Sequence, residues 1–558
     1  MVSANEVTNF ANASMKAEIA EPEIGAVVSE ESSTDSRLRY FCYAALVIVL
    51  VIFAIVRIRL RNTPLERDEG EYAYAGQLML QGDPPYHSAY NMKLPGTYAA
   101  YAVIMAVFGQ TVAGIRMGML VVLIANTLLV FFLGKRLFGI VAGTSAAAAY
   151  TLLANRLQTM SLDGHATHFI VLFALAGTLL LLHAIETQRA VALFGSGVLF
   201  GLAFLMKQHG ILFAVFGFFF WAWSEWKKRD NWRRVFSQAG ILAAGIIMPY
   251  LLTCLLTWYT GVFQQFWFWT VSYGAAYEKE TKISDGWFLF KVIMPWFPRP
   301  ANIWIIAGFG LTAVFWNRRA REQKVFILGF VLFSILAVFP GLFFRPHYFL
   351  VMYPAVALAT GLAVTATYEY LQKRNVSRAV AWIPIAFFVL TYLSTLYGQR
   401  KLLFKMNPLR VNREMHVAHG FPEAMVVADY VRDHSSSEDR IAVIGSEPEI
   451  YFYSHRRSAT GYIYMYSLME KQKFALRMQN DMIHEVENVQ PKIVVFVDNQ
   501  LSWGWDPSWD ATDPHMTIFA WIRNYVNAHY DLVAEVPIYD ARDDLWGAPR
   551  RYYIFQRK

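Results

Sequence analysis

Long apolar runs, repeated along most of the chain, constrain its fold more than any other feature. A helix needs about 20 apolar residues to cross the hydrocarbon core of a bilayer, and charged residues are only 16% of this sequence, against about 25% in ordinary soluble domains. We therefore predict a polytopic α-helical membrane protein with about 11 transmembrane helices. The predicted spans are 40–58, 114–133, 140–154, 166–185, 190–206, 209–224, 235–258, 302–316, 325–343, 347–368 and 379–397.

The loops between these runs predict the orientation of the chain. Five short loops lie on the side of the N-terminal tail, and four of them, all except 186–189, are rich in Lys and Arg, as cytoplasmic loops are. The five loops are 134–139, 186–189, 225–234, 317–324 and 371–378. The loops on the opposite side also carry basic residues, but they are longer and hold most of the loop acids. This pattern explains the net charge of +8 without nucleic acid, and it predicts that the C-terminal segment lies outside the cytoplasm.

The two ends of the chain differ from its apolar middle. Residues 1–36 are acidic and almost free of aromatic residues, which predicts a disordered cytoplasmic tail. In residues 399–558 charged residues return, and we predict a small extracytoplasmic α/β domain. Its predicted strands are 441–445, 492–497, 531–539 and 551–556, and its predicted helices are 422–434 and 516–529. The predicted organisation is therefore a tail (1–36), a transmembrane catalytic domain (37–398) and an α/β domain (399–558).

Two long loops on the predicted outer side mix aromatic and charged residues, as interfacial segments do. They are 59–113 and 259–301, and the first contains the short apolar stretch 96–109, which we interpret as interfacial. The first loop holds the acidic pair Asp68–Glu69 just outside the first span, and Lys93 follows ahead of a proline. This pattern predicts a carboxylate and a cation near the level of the lipid headgroups.

Several short motifs follow one another in a defined order from this loop onward. Together they resemble the protein O-mannosyltransferase-like superfamily of GT-C glycosyltransferases, also described as the dolichyl-phosphate-mannose-protein mannosyltransferase family, to which the lipid A aminoarabinose transferases belong. The resemblance covers roughly residues 40–400 and depends on order and spacing, since no single motif is specific. The motifs are Asp68-Glu69, Gly82-x-x-Pro85-Tyr86, Lys93-x-Pro95…Tyr98, Arg136-Leu-Phe-Gly139, Leu162-Asp163, Gly201-Leu-Ala-Phe-Leu-Met-Lys207 and His347-Tyr348…Tyr353-Pro354.

The resemblance implies a GT-C fold and a reaction. A sugar would pass, with inversion, from a polyprenyl-phosphate donor in the membrane lipid to an extracytoplasmic acceptor, which is a protein, lipid A or a cell-envelope glycan. The location would be the bacterial inner (plasma) membrane, with the N-terminus cytoplasmic. No phosphate-binding Gly-x-x-x-x-Gly-Lys-Ser/Thr motif is present in the sequence, so we expect no nucleotide. The alternative is a lipid-linked sugar transporter or flippase, for which inverted repeats are typical; we see none.

The resemblance also implies roles for particular residues. Asp68 matches the loop aspartate of the family and is predicted to be the general base. Lys93 is predicted to bind the donor phosphate, Glu69 to position the acceptor or a metal, and Asp163 to line the cavity. The remaining predicted substrate-binding residues are Tyr72, Tyr90, His165, Lys207, Arg345, His347 and Tyr348.

The sequence gives only a weak indication of a metal. His165 and His168 are three residues apart and close to Asp163, but core or cavity histidines are the commoner explanation of such spacing. Some relatives carry an acidic residue just before the loop lysine, where this chain has Met92. We therefore expect no required cofactor and leave a divalent metal open.

Overall fold

The computed structural model describes residues 21–228, 231–278, 281–295, 298, 301–374, 376–470, 472–504, 517–539 and 550–558. Within them the chain is mainly helical up to residue 433. The helices of this part are α1 (Glu21–Arg59), α2 (Arg67–Leu80), α3 (Gly96–Phe108), α4 (Val112–Phe138), α5 (Ile140–Leu153), α6 (Ala166–Thr187), α7 (Ala190–Met206), α8 (Ile211–Lys228), α9 (Trp232–Tyr259), α10 (Phe263–Trp267), α11 (Gly274–Glu278), α12 (Ile283–Ile293), α13 (Asn302–Trp316), α14 (Arg318–Glu322), α15 (Lys324–Leu336), α16 (Tyr353–Lys373), α17 (Arg378–Ala381), α18 (Ile383–Gly398), α19 (Pro408–Met415) and α20 (Phe421–Asp433).

Short 3₁₀ and π segments join some of these helices. The 3₁₀ segments are Gln208–Gly210 and Pro346–Met352, and the π segments are Phe268–Tyr273 and Lys401–Lys405.

Among the residues that the structure describes, five helices are long and apolar enough to cross a membrane, so the chain is a multi-pass membrane protein. They are Ser36–Arg59, Val112–Phe138, Ala166–Thr187, Trp232–Tyr259 and Pro346–Lys373. Six more apolar helices are shorter: α3, α5, α7, α13, α15 and α18. Each predicted span overlaps a helix, and so does the stretch 96–109, although the span 325–343 extends past the end of α15 at Leu336 and the span 379–397 lies on two helices, α17 and α18. The number of helices that cross the bilayer stays a prediction.

The first helix departs from the predicted organisation. α1 begins at Glu21 and therefore lies partly inside the segment 1–36 that we predicted to be disordered. Residues 1–20 lie outside the described residues, and the prediction for them is not tested.

Small residues let the backbones of neighbouring helices touch. A Cβ added to Gly197 in α7 would lie 2.5 Å from the carbonyl oxygen of Leu242 in α9. A Cβ added to Gly245 in α9 would lie 2.4 Å from the carbonyl oxygen of Phe194. Such close packing is typical of membrane helices, for which van der Waals contact replaces much of the hydrophobic driving force.

Helix α4 links two chemically different ends of the helical bundle. Arg116, one turn into the helix, forms an ion pair with Glu69, and Arg136 in the last turn lies 2.8 Å from Glu186. Their separation of 20 positions along the sequence corresponds to about 30 Å of helix, which is the thickness of a bilayer core. The second end also holds Arg319, whose guanidinium donates to the carbonyl oxygen of Phe138 at 2.9 Å. The strongly basic loops therefore meet at the end opposite Glu69.

The C-terminal part contains a five-stranded mixed sheet with the strand order β2-β1-β3-β5-β4. β1 pairs in parallel with β2 and β3, and β5 pairs antiparallel with β3 and β4. All four predicted strands are present, whereas the two-residue β2 was not predicted. The elements are β1 (Arg440–Ile444), α21 (Glu449–Ser454), β2 (Arg457–Ser458), α22 (Tyr466–Met469), α23 (Ala475–Val489), β3 (Ile493–Asp498), α24 (Gln500–Trp503), α25 (Thr517–His529), β4 (Tyr530–Pro537) and β5 (Arg551–Arg557).

The sheet region packs directly onto α2, the helix of the first predicted outer loop. The backbone N–H of Ser458 donates to the Tyr74 hydroxyl at 2.8 Å, and the N–H of Leu65 donates to the Tyr453 hydroxyl at 2.8 Å. A Cβ on Gly70 would lie only 2.6 Å from the backbone nitrogen of Glu449, so this contact requires glycine. The C-terminal part therefore helps to fix the position of α2 and of the residues at its start.

Candidate active site

Three consecutive charged side chains in the first turn of α2, those of Arg67, Asp68 and Glu69, point in different directions. Glu66 and Glu69 form a capping box, in which each carboxylate accepts from the other residue's backbone N–H. Arg67 turns toward the sheet region, where its guanidinium donates to the carbonyl oxygen of Ser446 at 2.5 Å. Asp68 lies in the same turn, where the helix dipole favours a negative charge, and its carboxylate faces a cavity.

This cavity has a volume of about 320 Å³ and lies between five segments of the chain. They are the first loop, the end of α7, residues 269–277, residues 340–348 and residues 464–470. Seven of the eleven predicted site residues line the cavity: Asp68, Tyr90, Lys93, Lys207, Arg345, His347 and Tyr348.

Lys93 is held between two carboxylates. Its ammonium group donates to Asp68 Oδ1 at 2.8 Å and to Glu71 Oε2 at 2.6 Å. Burial opposes the charge of Asp68, yet the Lys93 ammonium holds the pKa of Asp68 well below its ordinary value. Burial likewise opposes the charge of Lys93, yet Asp68 and Glu71 raise its pKa well above the ordinary value. Asp68 is therefore anionic and Lys93 cationic at neutral pH.

A second lysine that lines the cavity, Lys207, differs from Lys93 in its protonation near neutral pH. The Lys207 ammonium lies 4.0 Å from the centroid of the Tyr348 ring. Burial lowers the pKa of Lys207 to about 7, against the attraction of Asp68. Lys207 therefore changes charge close to neutral pH.

The cavity concentrates positive charge. Of the described residues that line it, three carry cationic side chains, Lys93, Lys207 and Arg345, and two carry carboxylates, Asp68 and Glu470. Cations fixed in advance around a partly dehydrated cavity are what a phosphate group requires. One carboxylate beside them, Asp68, can accept a proton from a hydroxyl group.

Tyr90 is fixed by the C-terminal part. Its backbone N–H donates to the carbonyl oxygen of Gly461 at 2.7 Å, and its ring stacks on Trp269 with 5.6 Å between the centroids. The aromatic wall of the cavity therefore combines the first loop, the second long loop and the C-terminal part.

Four predicted site residues do not line the cavity. Glu69 and Asp163 belong to a group that we call the sealed network, formed by Glu69, Arg116, Asp163 and His416. Glu69 pairs with Arg116 and accepts from the backbone N–H of Gly164 at 2.5 Å. Asp163 lies 2.9 Å from His416 Nε2. All four side chains are buried, so the structure corrects the predicted position of Asp163: its charge is neutralised behind the cavity wall.

The other two of these residues lie directly behind the wall. The ring of Tyr72 packs on Tyr98 and Tyr101, 4.7 Å below the Lys93 ammonium. His165 is stacked on His347, with 4.2 Å between the ring centroids. Burial lowers the pKa of His165 to about 4, so its imidazole is neutral at pH 7.

Sequence reasoning missed the contribution of the C-terminal part to the cavity. Tyr464, Tyr466, Ser467 and Glu470 all line it. The Tyr464 hydroxyl donates to Asp68 Oδ1 at 3.4 Å, and the Tyr466 hydroxyl accepts from Arg67 at 2.5 Å. The only signal in the sequence is the alternating tyrosine run 462–466, which is not specific to a binding site.

Comparison with known proteins agrees with the sequence resemblance. Residues 93–253 match the model of the dolichyl-phosphate-mannose-protein mannosyltransferase family. The fold is similar to the crystal structure of ArnT from Cupriavidus metallidurans bound to undecaprenyl phosphate, with a TM-score of 0.54, 15% identity, and 92% of this chain and 98% of that chain covered. The apo structure of the same protein gives a TM-score of 0.54 and 15% identity over 91% of this chain and 97% of that chain. No curated protein sequence matches. The predicted resemblance is therefore confirmed, and the structural likeness shows a shared fold.

Proposed function

We propose that this protein is a membrane glycosyltransferase that moves a sugar from a polyprenyl-phosphate donor to an acceptor outside the cytoplasm. The observation that carries the proposal is the cavity itself, where Lys93, Lys207 and Arg345 surround a space that Asp68 also faces. The family match over residues 93–253 and the fold shared with ArnT, a protein crystallised with undecaprenyl phosphate, support it.

The proposed reaction is a single displacement with inversion. The acceptor hydroxyl attacks the anomeric carbon of the sugar, and Asp68 takes the proton of that hydroxyl. The bond between the anomeric carbon and the phosphate oxygen breaks, and the lipid phosphate leaves as an anion. Lys93, Lys207 and Arg345 stabilise the negative charge that develops on it. No nucleotide and no covalent enzyme intermediate is needed.

The ion pair between Lys93 and Asp68 connects donor binding to the strength of the base. A phosphate that enters the cavity competes with Asp68 for the Lys93 ammonium, which is 2.8 Å from Asp68 Oδ1. Loss of this contact removes the attraction that lowers the pKa of Asp68, and the carboxylate becomes a stronger base. We propose that the base is therefore weak in the empty enzyme and gains strength when the donor is bound.

The orientation follows from the two ends of the bundle. We propose that the basic end with Arg136 and Arg319 faces the cytoplasm, together with the N-terminus. The cavity and the C-terminal α/β domain then face the periplasm or the extracellular side of a bacterial plasma membrane. The C-terminal wall, with Tyr464 and Glu470, is where an acceptor that arrives from outside would meet the donor.

The test is sugar transfer by the purified protein in proteoliposomes. Radiolabelled polyprenyl-phosphate mannose, glucose, galacturonic acid, arabinose and aminoarabinose are supplied in turn, with cell-envelope membranes as the acceptor source. We expect transfer from one donor of this panel. Movement of labelled lipid across the bilayer without any transfer would instead establish the flippase function.

A further inference from the structure

Three side chains from separate segments meet at the inner wall of the cavity. Asp68 comes from the first turn of α2, His165 immediately precedes α6, and His347 lies in the 3₁₀ segment before α16. One ligand atom of each lies within 4.8 Å of the others. We propose that Asp68, His165 and His347 bind a divalent transition metal ion of the zinc type.

The burial and the hydrogen bonding of the His165 ring support this proposal independently of the distances between the three ligand atoms. His165 is 1% exposed, and neither of its ring nitrogens has a hydrogen-bond partner in the part of the chain that the structure describes. The nearest carboxylate oxygens lie 3.7 Å away on Glu66 and 3.9 Å away on Asp163, beyond hydrogen-bond distance. Buried polar atoms normally have partners, so the free nitrogens indicate a ligand at this position.

The chemistry of the three ligand atoms determines which class of metal ion the site would bind. Two imidazole nitrogens and one carboxylate oxygen suit zinc and neighbouring transition metals, whereas magnesium and calcium prefer oxygen ligands alone. Asp68 can take part without giving up Lys93, because Lys93 and Tyr464 both contact Oδ1. In the described residues Oδ2 accepts no hydrogen bond and is available to an ion.

The three ligand atoms need to move only a short distance toward one another to bind such an ion. Zinc bonds of about 2.1 Å to nitrogen and oxygen place tetrahedral ligand atoms about 3.4 Å apart. From separations of up to 4.8 Å, each ligand atom must move inward by about 1 Å or less. The parallel rings of His165 and His347, inclined by 17°, can make this movement together.

Three protein ligands leave a fourth position open, which is the arrangement of catalytic rather than structural zinc sites. Asp68 and His347 line the cavity, so the open position faces it. That this position serves the acceptor hydroxyl rests on the proposed function, but metal binding itself does not. The site differs from the set His165, His168 and Asp163 that the sequence spacing indicates, because His168 is instead bound to the backbone of Asp163.

Metal binding by the purified full-length protein tests the proposal. The chelator-treated protein in detergent is titrated with Zn²⁺ by calorimetry and with Co²⁺ by absorption spectroscopy, which reports tetrahedral nitrogen coordination. Wild type should bind one equivalent of either ion. His165→Ala and His347→Gln should each weaken binding by at least about 100-fold, since the loss of a direct ligand exceeds the 10–100-fold effect of outer-shell changes. Each variant is checked for folding by its melting temperature.

His209→Gln is the matched control. His209 lines the same cavity, but its Nδ1 is bound to the carbonyl oxygen of Ala337, so its loss should leave metal affinity unchanged. Wild type without stoichiometric binding, or His165→Ala and His347→Gln with wild-type affinity, would overturn the proposal. Sugar transfer measured on the same samples separates the two proposals, because a wild type that transfers sugar but binds no metal overturns the metal site and leaves the glycosyltransferase in place.

Discussion

Asp68 and Glu69 are neighbours at the start of α2, but they belong to two ion pairs with different roles. Asp68 and Lys93 face the cavity, and the Lys93 side chain is 18% exposed. Glu69 and Arg116 lie behind the wall in the sealed network, with side-chain exposures of 0% and 6%. Both are ion pairs of an acid with a base. The Asp68–Lys93 pair, which we call the open pair, can exchange partners with a ligand. The Glu69–Arg116 pair, which we call the sealed pair, holds the cavity wall in place.

The sealed network should matter most for stability. Replacing Arg116 with Met leaves Glu69 buried without its cation and removes one of the partners of Asp163, and breaking a buried pair costs about 3–5 kcal/mol. We expect a drop of this size in the free energy of unfolding, measured in detergent. Arg136→Met at the other end of α4 is the control, because its partner Glu186 is 66% exposed and such pairs contribute about 0–1 kcal/mol. Equal losses in the two variants would show that burial does not distinguish the sealed network from an exposed ion pair.

Lys93 should matter for donor binding. Lys93→Met removes an ammonium group that would bind the donor phosphate, and hydrogen bonds to charged groups contribute about 1.5–3 kcal/mol. The expected result is donor binding weaker by roughly 10–100-fold, measured with a labelled polyprenyl-phosphate sugar. Lys135→Met, which removes a lysine bound to Tyr43 at the basic end, should bind the donor as wild type does. Unchanged binding in Lys93→Met would place the phosphate elsewhere.

Donor binding should depend on pH through Lys207. Because burial lowers its pKa to about 7, the side chain is charged below this value and neutral above it. Donor affinity should therefore fall by up to about tenfold between pH 6 and pH 8. Lys207→Arg keeps its charge over this range and should flatten the profile. A wild-type profile that is already flat, or one that rises with pH, would contradict the role of Lys207.

The smallest expected effect concerns the C-terminal contribution to the open pair. Tyr464→Phe removes a hydroxyl that donates to Asp68 Oδ1, a contact that contributes about 0.5–1.5 kcal/mol. We expect the transfer rate to fall by roughly two- to tenfold. Tyr462→Phe, whose hydroxyl contacts Asp481 instead, is the control and should keep the wild-type rate.

The parts that sequence predicts well are those with a simple physical signature. Apolar runs locate the membrane helices because the bilayer imposes length and hydropathy, and each predicted span overlaps a helix. The strands β1, β3, β4 and β5 also follow from their apolar patterns. Asp68, Lys93 and Lys207 lie in motifs that order and spacing identify, Arg345 lies just before another such motif, and the fold brings all four to one cavity.

The parts that sequence misses depend on tertiary contacts between distant segments. Nothing in the local sequence distinguishes Asp68 from Glu69, since only the direction of each side chain in the first turn of α2 separates them. Arg116 carried a usable signal, because an arginine within an apolar run needs a partner. His416 and Tyr464 carried none, because their roles arise from the packing of the sheet region onto α2.

The most direct test of this account compares Asp68→Asn with Glu69→Gln in one experiment. Single-turnover sugar transfer and the melting temperature are measured for both at equal folded concentrations. Asp68→Asn should keep its melting temperature and lose transfer by about 10²–10⁴-fold, the usual contribution of a general base. Glu69→Gln should melt at a lower temperature and keep transfer within about tenfold per folded molecule. Loss of transfer in a fully stable Glu69→Gln, with activity retained in Asp68→Asn, would contradict these roles of the two residues.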